Sequence, residues 1–146
     1  MHSFVPLIAR VLLQPALVVA AALWVRGYAE AGGGFSAGVL AALAVLLQYV
    51  VLGREEARRP WPVRHAAALV PAGLMVVLAV AFGPVLAGYP PVTHFPRPGE
   101  HVVHLGALEL HTAALFDVGI FLLVFGFIVA TIDGIIAAVP EEEDAS

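Results

Sequence analysis

Long apolar stretches alternate with short polar ones along this chain. Four stretches approach or exceed the ~20 residues a helix needs to cross a hydrocarbon layer. They run over about residues 4–25, 34–52, 65–87 and 112–139. Few polar residues interrupt them: Arg10 and Gln14 in the first, Gln48 in the second, Asp117 and Asp133 in the fourth. Pro6 suits a helix start, whereas Pro15 removes an internal hydrogen bond and predicts a kink. Pro71 and Pro84 fall near the two ends of the third stretch. The fourth is long enough to tilt or to project from the bilayer. The pattern predicts an all-α integral membrane protein, a single membrane domain over residues 1–146. Its four transmembrane helices carry a proline-rich outer loop between the third and the fourth, and an acidic tail occupies 140–146.

Charge orients the spans. The loop from Gly53 to His65 holds Arg54, Arg58, Arg59 and Arg64, while the first loop holds Arg26 and the third Arg97. Positive charge marks the cytoplasmic side, so the middle loop and both termini are expected in the cytoplasm. Trp24, Tyr28 and Trp61 sit where interfacial aromatics belong. The first stretch reads as a retained helix rather than a cleaved signal, because Arg10 and Pro15 lie inside it and no A-x-A site follows. Pro90, Pro91, Pro96 and Pro98 forbid a regular helix in the outer loop and predict an extended cap over the outer helix ends.

Composition agrees with a bilayer setting. Hydrophobic residues make up 61% of the 146 and charged ones 12%, against about 25% charged in soluble domains. With no cysteine, disulfides, thiolate metal sites, cysteine nucleophiles and Fe–S ligation are excluded. The net charge of −4 owes much to Glu141, Glu142, Glu143 and Asp144, and gives no basic face for nucleic acid. No phosphate loop, dinucleotide fingerprint or nucleophile elbow is present, and serine occurs only at 3, 36 and 146. Nothing calls for a cofactor. Four helices are few for an autonomous transporter built on paired repeats, so the chain is expected to be one piece of a larger membrane assembly.

Asp117 is the sharpest candidate for chemistry. A carboxylate in a lipid-spanning stretch marks an ion or proton route by default, unless it lies at the interface and caps or pairs structurally. At 100° per residue, Gly119, Gly126, Ala130, Gly134 and Ala137 share one stripe of the fourth helix. Asp117 lies nearly opposite with Phe121, Val124, Ile128 and Ile135. The small stripe can therefore pack on one helix while Asp117 addresses another. Asp133 and Glu30 are weaker ion-pathway candidates, each open to a plain interfacial role. Arg10 is expected to snorkel or to pair with an acid, and Gln48 to bond between helices. Gly32, Gly33 and Gly34 read as a tight turn. With Phe35 and Gly38 they read as a close-packing point for partner subunits, as do Gly126 and Gly134. His101-x-x-His104 is a weak metal candidate in a loop that also holds His94 and His111, and four histidines there can also sense pH.

Two segments carry a family resemblance. Glu30-Ala31-Gly32-Gly33-Gly34-Phe35-Ser36-Ala37-Gly38 resembles the E-x-G-G-G-F-x-x-G segment of the MnhB/MrpB family, the B-type subunits of multisubunit Mrp (Mnh) cation/proton antiporters. Leu105-Gly106-Ala107-Leu108-Glu109-Leu110-His111-Thr112, followed by Leu115-Phe116-Asp117-Val118-Gly119-Ile120, resembles that family's L-G-x-x-x-L-x-T stretch leading to L-F-D-x-G-V. Ala31 and the Ala113-Ala114 pair stand where the family often has proline. The resemblance implies an accessory subunit of a cell-membrane complex exchanging Na⁺ for H⁺, with other Mrp subunits as partners. It also implies functional weight at Gly32, Gly33, Gly34, Phe35 and Asp117. The alternatives are a structural subunit of a related hydrogenase-like or carbon-uptake complex without ion contact, and an independent metal-handling or pH-sensing membrane protein.

Overall fold

The computed structural model describes residues 4–29, 33–93, 104–105, 108–109 and 112–139. Helix α1 runs Phe4–Ala29 and α2 Gly33–Leu52. Two one-turn helices follow, α3 Arg54–Ala57 and α4 Trp61–Arg64, before α5 Ala66–Leu86. Beyond α5, strands β1 His104–Leu105 and β2 Leu108–Glu109 pair antiparallel, His104 facing Glu109 and Leu105 facing Leu108. Helix α6 closes the chain, Thr112–Ala138. Helices α1, α2, α5 and α6 are each long and apolar enough to span a bilayer.

Three features depart from expectation. Gly33 and Gly34 open α2 instead of forming a turn. The arginine-rich middle loop is largely helical. Its α3 and α4 are pinned to the bundle end by buried Ala57 and Val63, and Pro60 and Pro62 are tolerated because they fall at the cap and first turn of α4. The loop between α5 and α6 holds a short strand pair. Its start is also fixed: Gly88, at φ 80°, ends α5 with its amide on the Val85 carbonyl and the Tyr89 amide on the Pro84 carbonyl. Glycine suits that left-handed position. The chain then turns back until the Val92 amide reaches the Ala81 carbonyl at 2.7 Å.

The spans stand in a row, α1 beside α2, α2 beside α6, α6 beside α5, with no substantial contact between α1 and α5. Burial follows that order. Within its most apolar window, 44% of α2 is buried, against 11% of α1. The core is built from small residues: Ala20, Ala41, Ala42, Val45, Ala57, Ala66 and Val129, closed by Tyr49 and Phe125. Apolar side chains gain little from leaving lipid for protein, so close backbone approach and interhelical hydrogen bonds hold such a core. Gln48 supplies one bond, donating Nε2 to the Ala9 carbonyl of α1 at 2.7 Å.

Candidate functional site

Both acids of the fourth span lie on α6, sixteen residues apart. At 1.5 Å per residue that is about 24 Å, somewhat less than the ~30 Å hydrocarbon thickness. The two carboxylates lie toward opposite ends of α6, and the stretch of helix between them is uncharged.

Toward the N-terminal end of α6, the Gly34 amide donates to Asp117 Oδ2 at 3.2 Å, in a half-buried position. Gly34 lies in the first turn of α2, where backbone amides lack intrahelical partners and the helix dipole favours negative charge. Asp117 thus caps α2 from another helix. Only glycine permits the approach: a Cβ at Gly34 would overlap the Asp117 carbonyl oxygen and lie 2.9 Å from its carbonyl carbon. One turn on, a Cβ at Gly38 would lie 3.2 Å from both the Phe121 carbonyl oxygen and Val124 Cβ. Fully buried Ala42 continues the seam.

The opposite stripe of α6 meets α5. A Cβ at Gly73 would lie 2.6 Å from the Gly119 carbonyl oxygen, and one at Gly126 2.7 Å from the Ala66 carbonyl oxygen. The expected division of α6, acid toward one neighbour and glycines toward another, is what the helices adopt. Gly34, Gly38 and Gly126, read from sequence as intersubunit packing points, are occupied by this chain's own helices. Gly134 has open space around it, and Phe35 is exposed.

Toward the C-terminal end of α6, Asp133 accepts from Arg54 Nε at 2.9 Å, Arg54 Nη2 at 3.1 Å and the Tyr49 hydroxyl at 3.2 Å. Arg58 Nε stands 3.7 Å away. The hydrogen bond to Asp133 holds the Arg54 guanidinium above its ordinary pKa. Beside this group, Arg10 of α1 bonds Glu56 at 2.9 Å, and Arg59 bonds the same carboxylate at 2.9 Å. Arg10 thus takes the acid partner expected of it, on α3. Asp133 joins α2, α3 and α6, and both of its oxygens are engaged. Sequence reading missed Tyr49, Arg54 and Glu56 as partners. Arg54 and Asp133 lie 79 residues apart, and no local pattern links them.

Glu30, Gly32 and His101 lie outside the described residues, as does the His104 side chain. Among the described residues, no group of three or more His, Asp or Glu side chains is placed to hold a metal ion.

The family profile described as "Domain related to MnhB subunit of Na+/H+ antiporter" matches residues 4–130. The chain belongs to the MnhB family. It is 33% identical over 104 residues to the Na⁺/H⁺ antiporter B-type subunit of Alkalihalophilus pseudofirmus, covering 71% of each chain. To the corresponding Na⁺/H⁺ antiporter protein of Bacillus subtilis it is 30% identical over 125 residues, covering 83% of this chain and 80% of that one. A probable K⁺/H⁺ antiporter protein of Rhizobium meliloti, a combined A/B-type subunit, is 35% identical over 129 residues, and this chain spans only 12% of it. Among solved structures, the Mrp complex of Dietzia sp. contains a chain that this fold matches with a TM-score of 0.71 at 24% identity. That match covers 99% of this MnhB chain and 15% of the other.

Proposed function

We propose that this MnhB chain is an accessory membrane subunit of a multisubunit Na⁺, or other monovalent cation, proton antiporter. It builds and spaces the cation-translocating module rather than passing ions through its own interior. The observation that carries this reading is the use made of the two α6 acids: Asp117 caps α2, and Asp133 clamps α2 and α3. Its partners are the other membrane subunits of an Mrp-type complex in the cell membrane. The arginine-rich end faces the cytoplasm, following the excess of positive charge there. The chain contributes no catalytic chemistry and needs no cofactor.

Asp117 acts here as a positioning residue. Deleting the chain from its host abolishes Na⁺-dependent proton exchange in everted vesicles. In the assembled complex, Asp117→Asn retains most exchange, because asparagine is as good a cap acceptor as aspartate. Asp117→Ala loses exchange together with the α2 cap. If Asp117→Asn silences exchange in a complex that still assembles, the carboxylate touches the ion and the spacing role is refuted. Co-purification in mild detergent tests the assembly itself: antiporter-type membrane subunits support it, and a hydrogenase core or a soluble metalloenzyme redirects it.

A further inference from the structure

We propose that the cleft lined by Arg54, Glu55, Arg58, Arg59 and Arg64 binds the headgroup phosphate of an anionic phospholipid. The cleft is open, about 490 Å³ in volume, and presents four guanidinium groups against one carboxylate. Their partners are unevenly filled. Arg54 spends two N–H groups on Asp133, and Arg59 spends its Nε on Glu56. Among the described residues, the ion-pair contact of Arg58 is the long 3.7 Å approach to Asp133. Arg64 is exposed and forms no ion pair among the described residues. A guanidinium carries five donors in a planar fork, a geometry that matches phosphate oxygens two at a time.

Depth favours a lipid over a soluble anion. The cleft lies between the end of one span at Leu52 and the start of the next at Ala66. Buried Ala57 and Val63 anchor α3 and α4 to the core of the bundle. Trp61 is 59% exposed beside Arg64 and packs on His65, ring centroids 5.1 Å apart. An indole left out of the core at a span boundary belongs at headgroup level, where basic pockets meet anionic lipid. Arginines that served only to orient the chain during insertion would need no cleft and show no lipid preference.

The test uses the full chain purified in mild detergent from mixed phosphatidylglycerol and phosphatidylcholine, read by native mass spectrometry. Phosphatidylglycerol is retained about tenfold over phosphatidylcholine, a preference that added salt reduces. The double variant Arg58→Gln/Arg64→Gln loses the preference while keeping its helix content. Arg58→Lys/Arg64→Lys keeps the charge and restores part of it. Equal retention of the two lipids by the unaltered chain overturns the proposal, as does a preference that survives the double glutamine variant. Displacement by millimolar inorganic phosphate as readily as by lipid assigns the cleft to a soluble anion and also overturns it. So does a preference that emerges only once residues 141–146 are removed, since the acidic tail would then be the occupant.

Discussion

Replacing Gly34 by alanine adds one methyl group where α2 meets α6. That methyl would overlap the Asp117 carbonyl oxygen and lie 2.9 Å from its carbonyl carbon and 3.2 Å from its Cα. The obstacle is helix backbone, so no rotamer change relieves it and the two helices must part. Overpacking of a closed core costs about 1–3 kcal/mol. Parting also weakens the Gly34–Asp117 bond, and hydrogen bonds to charged groups contribute about 1.5–3 kcal/mol. Because that bond is only half-buried, the low end applies, and Gly34→Ala is expected to cost about 3 kcal/mol in all. Gly134→Ala is the matched control: the same methyl, the same helix type, and nothing within 4 Å. There alanine stabilises by up to about 1 kcal/mol, since it loses less backbone freedom on folding. Steric-trap unfolding of the full chain in bicelles measures both. A graded series is expected, Gly34→Ala worst, Gly73→Ala and Gly126→Ala next, Gly38→Ala milder, and Gly134→Ala neutral or favourable. A loss below about 1 kcal/mol at Gly34, or equal losses at Gly34 and Gly134, would refute the close α2–α6 seam.

Further outcomes follow from the polar contacts. Gln48→Leu removes the 2.7 Å bond to Ala9 and loosens α1 by about 1 kcal/mol, seen as faster proteolysis or loss of an α1–α2 disulfide crosslink engineered in this cysteine-free chain. Asp133→Asn unties Arg54 and lowers the thermal midpoint. Arg54→Lys lowers it as well, because lysine cannot form the two-point contact with Asp133. Arg54 has a raised pKa, so its contribution is complete below the ordinary arginine value and fades only as pH climbs through the raised one. The unfolding midpoint should therefore show no loss from Arg54 between about pH 7 and pH 10. A decline there that the Arg54→Lys chain does not share would count against this.

What the sequence made legible was periodic or compositional. Four apolar runs stand as four spans, and the angular positions of Asp117 and Gly126 on α6 correctly assign them to different neighbours. Gln48, alone and polar in an apolar run, is the interhelical donor its setting demands. What stayed hidden was non-local. Three consecutive glycines carry no helix signal, since glycine is among the poorest helix formers, yet Gly33 and Gly34 are helical because the cap comes from Asp117, 83 residues away. The same holds at the other end of the bundle, where Asp133 chooses Arg54 and Tyr49, and Glu56 chooses Arg10, across the bundle. The middle loop read as polar connection because its short helices are stabilised by two buried anchors, Ala57 and Val63, rather than by any repeat.

Four helices standing in file make a palisade, and a palisade has no lumen. Any cation travelling beside this chain must move along one of its broad sides, with the opposing wall furnished by a neighbour. The same shape leaves both flanks unfinished until those neighbours arrive. An orphaned copy should be a ready substrate for membrane proteases, and its abundance in the cell should rise and fall with that of its companions.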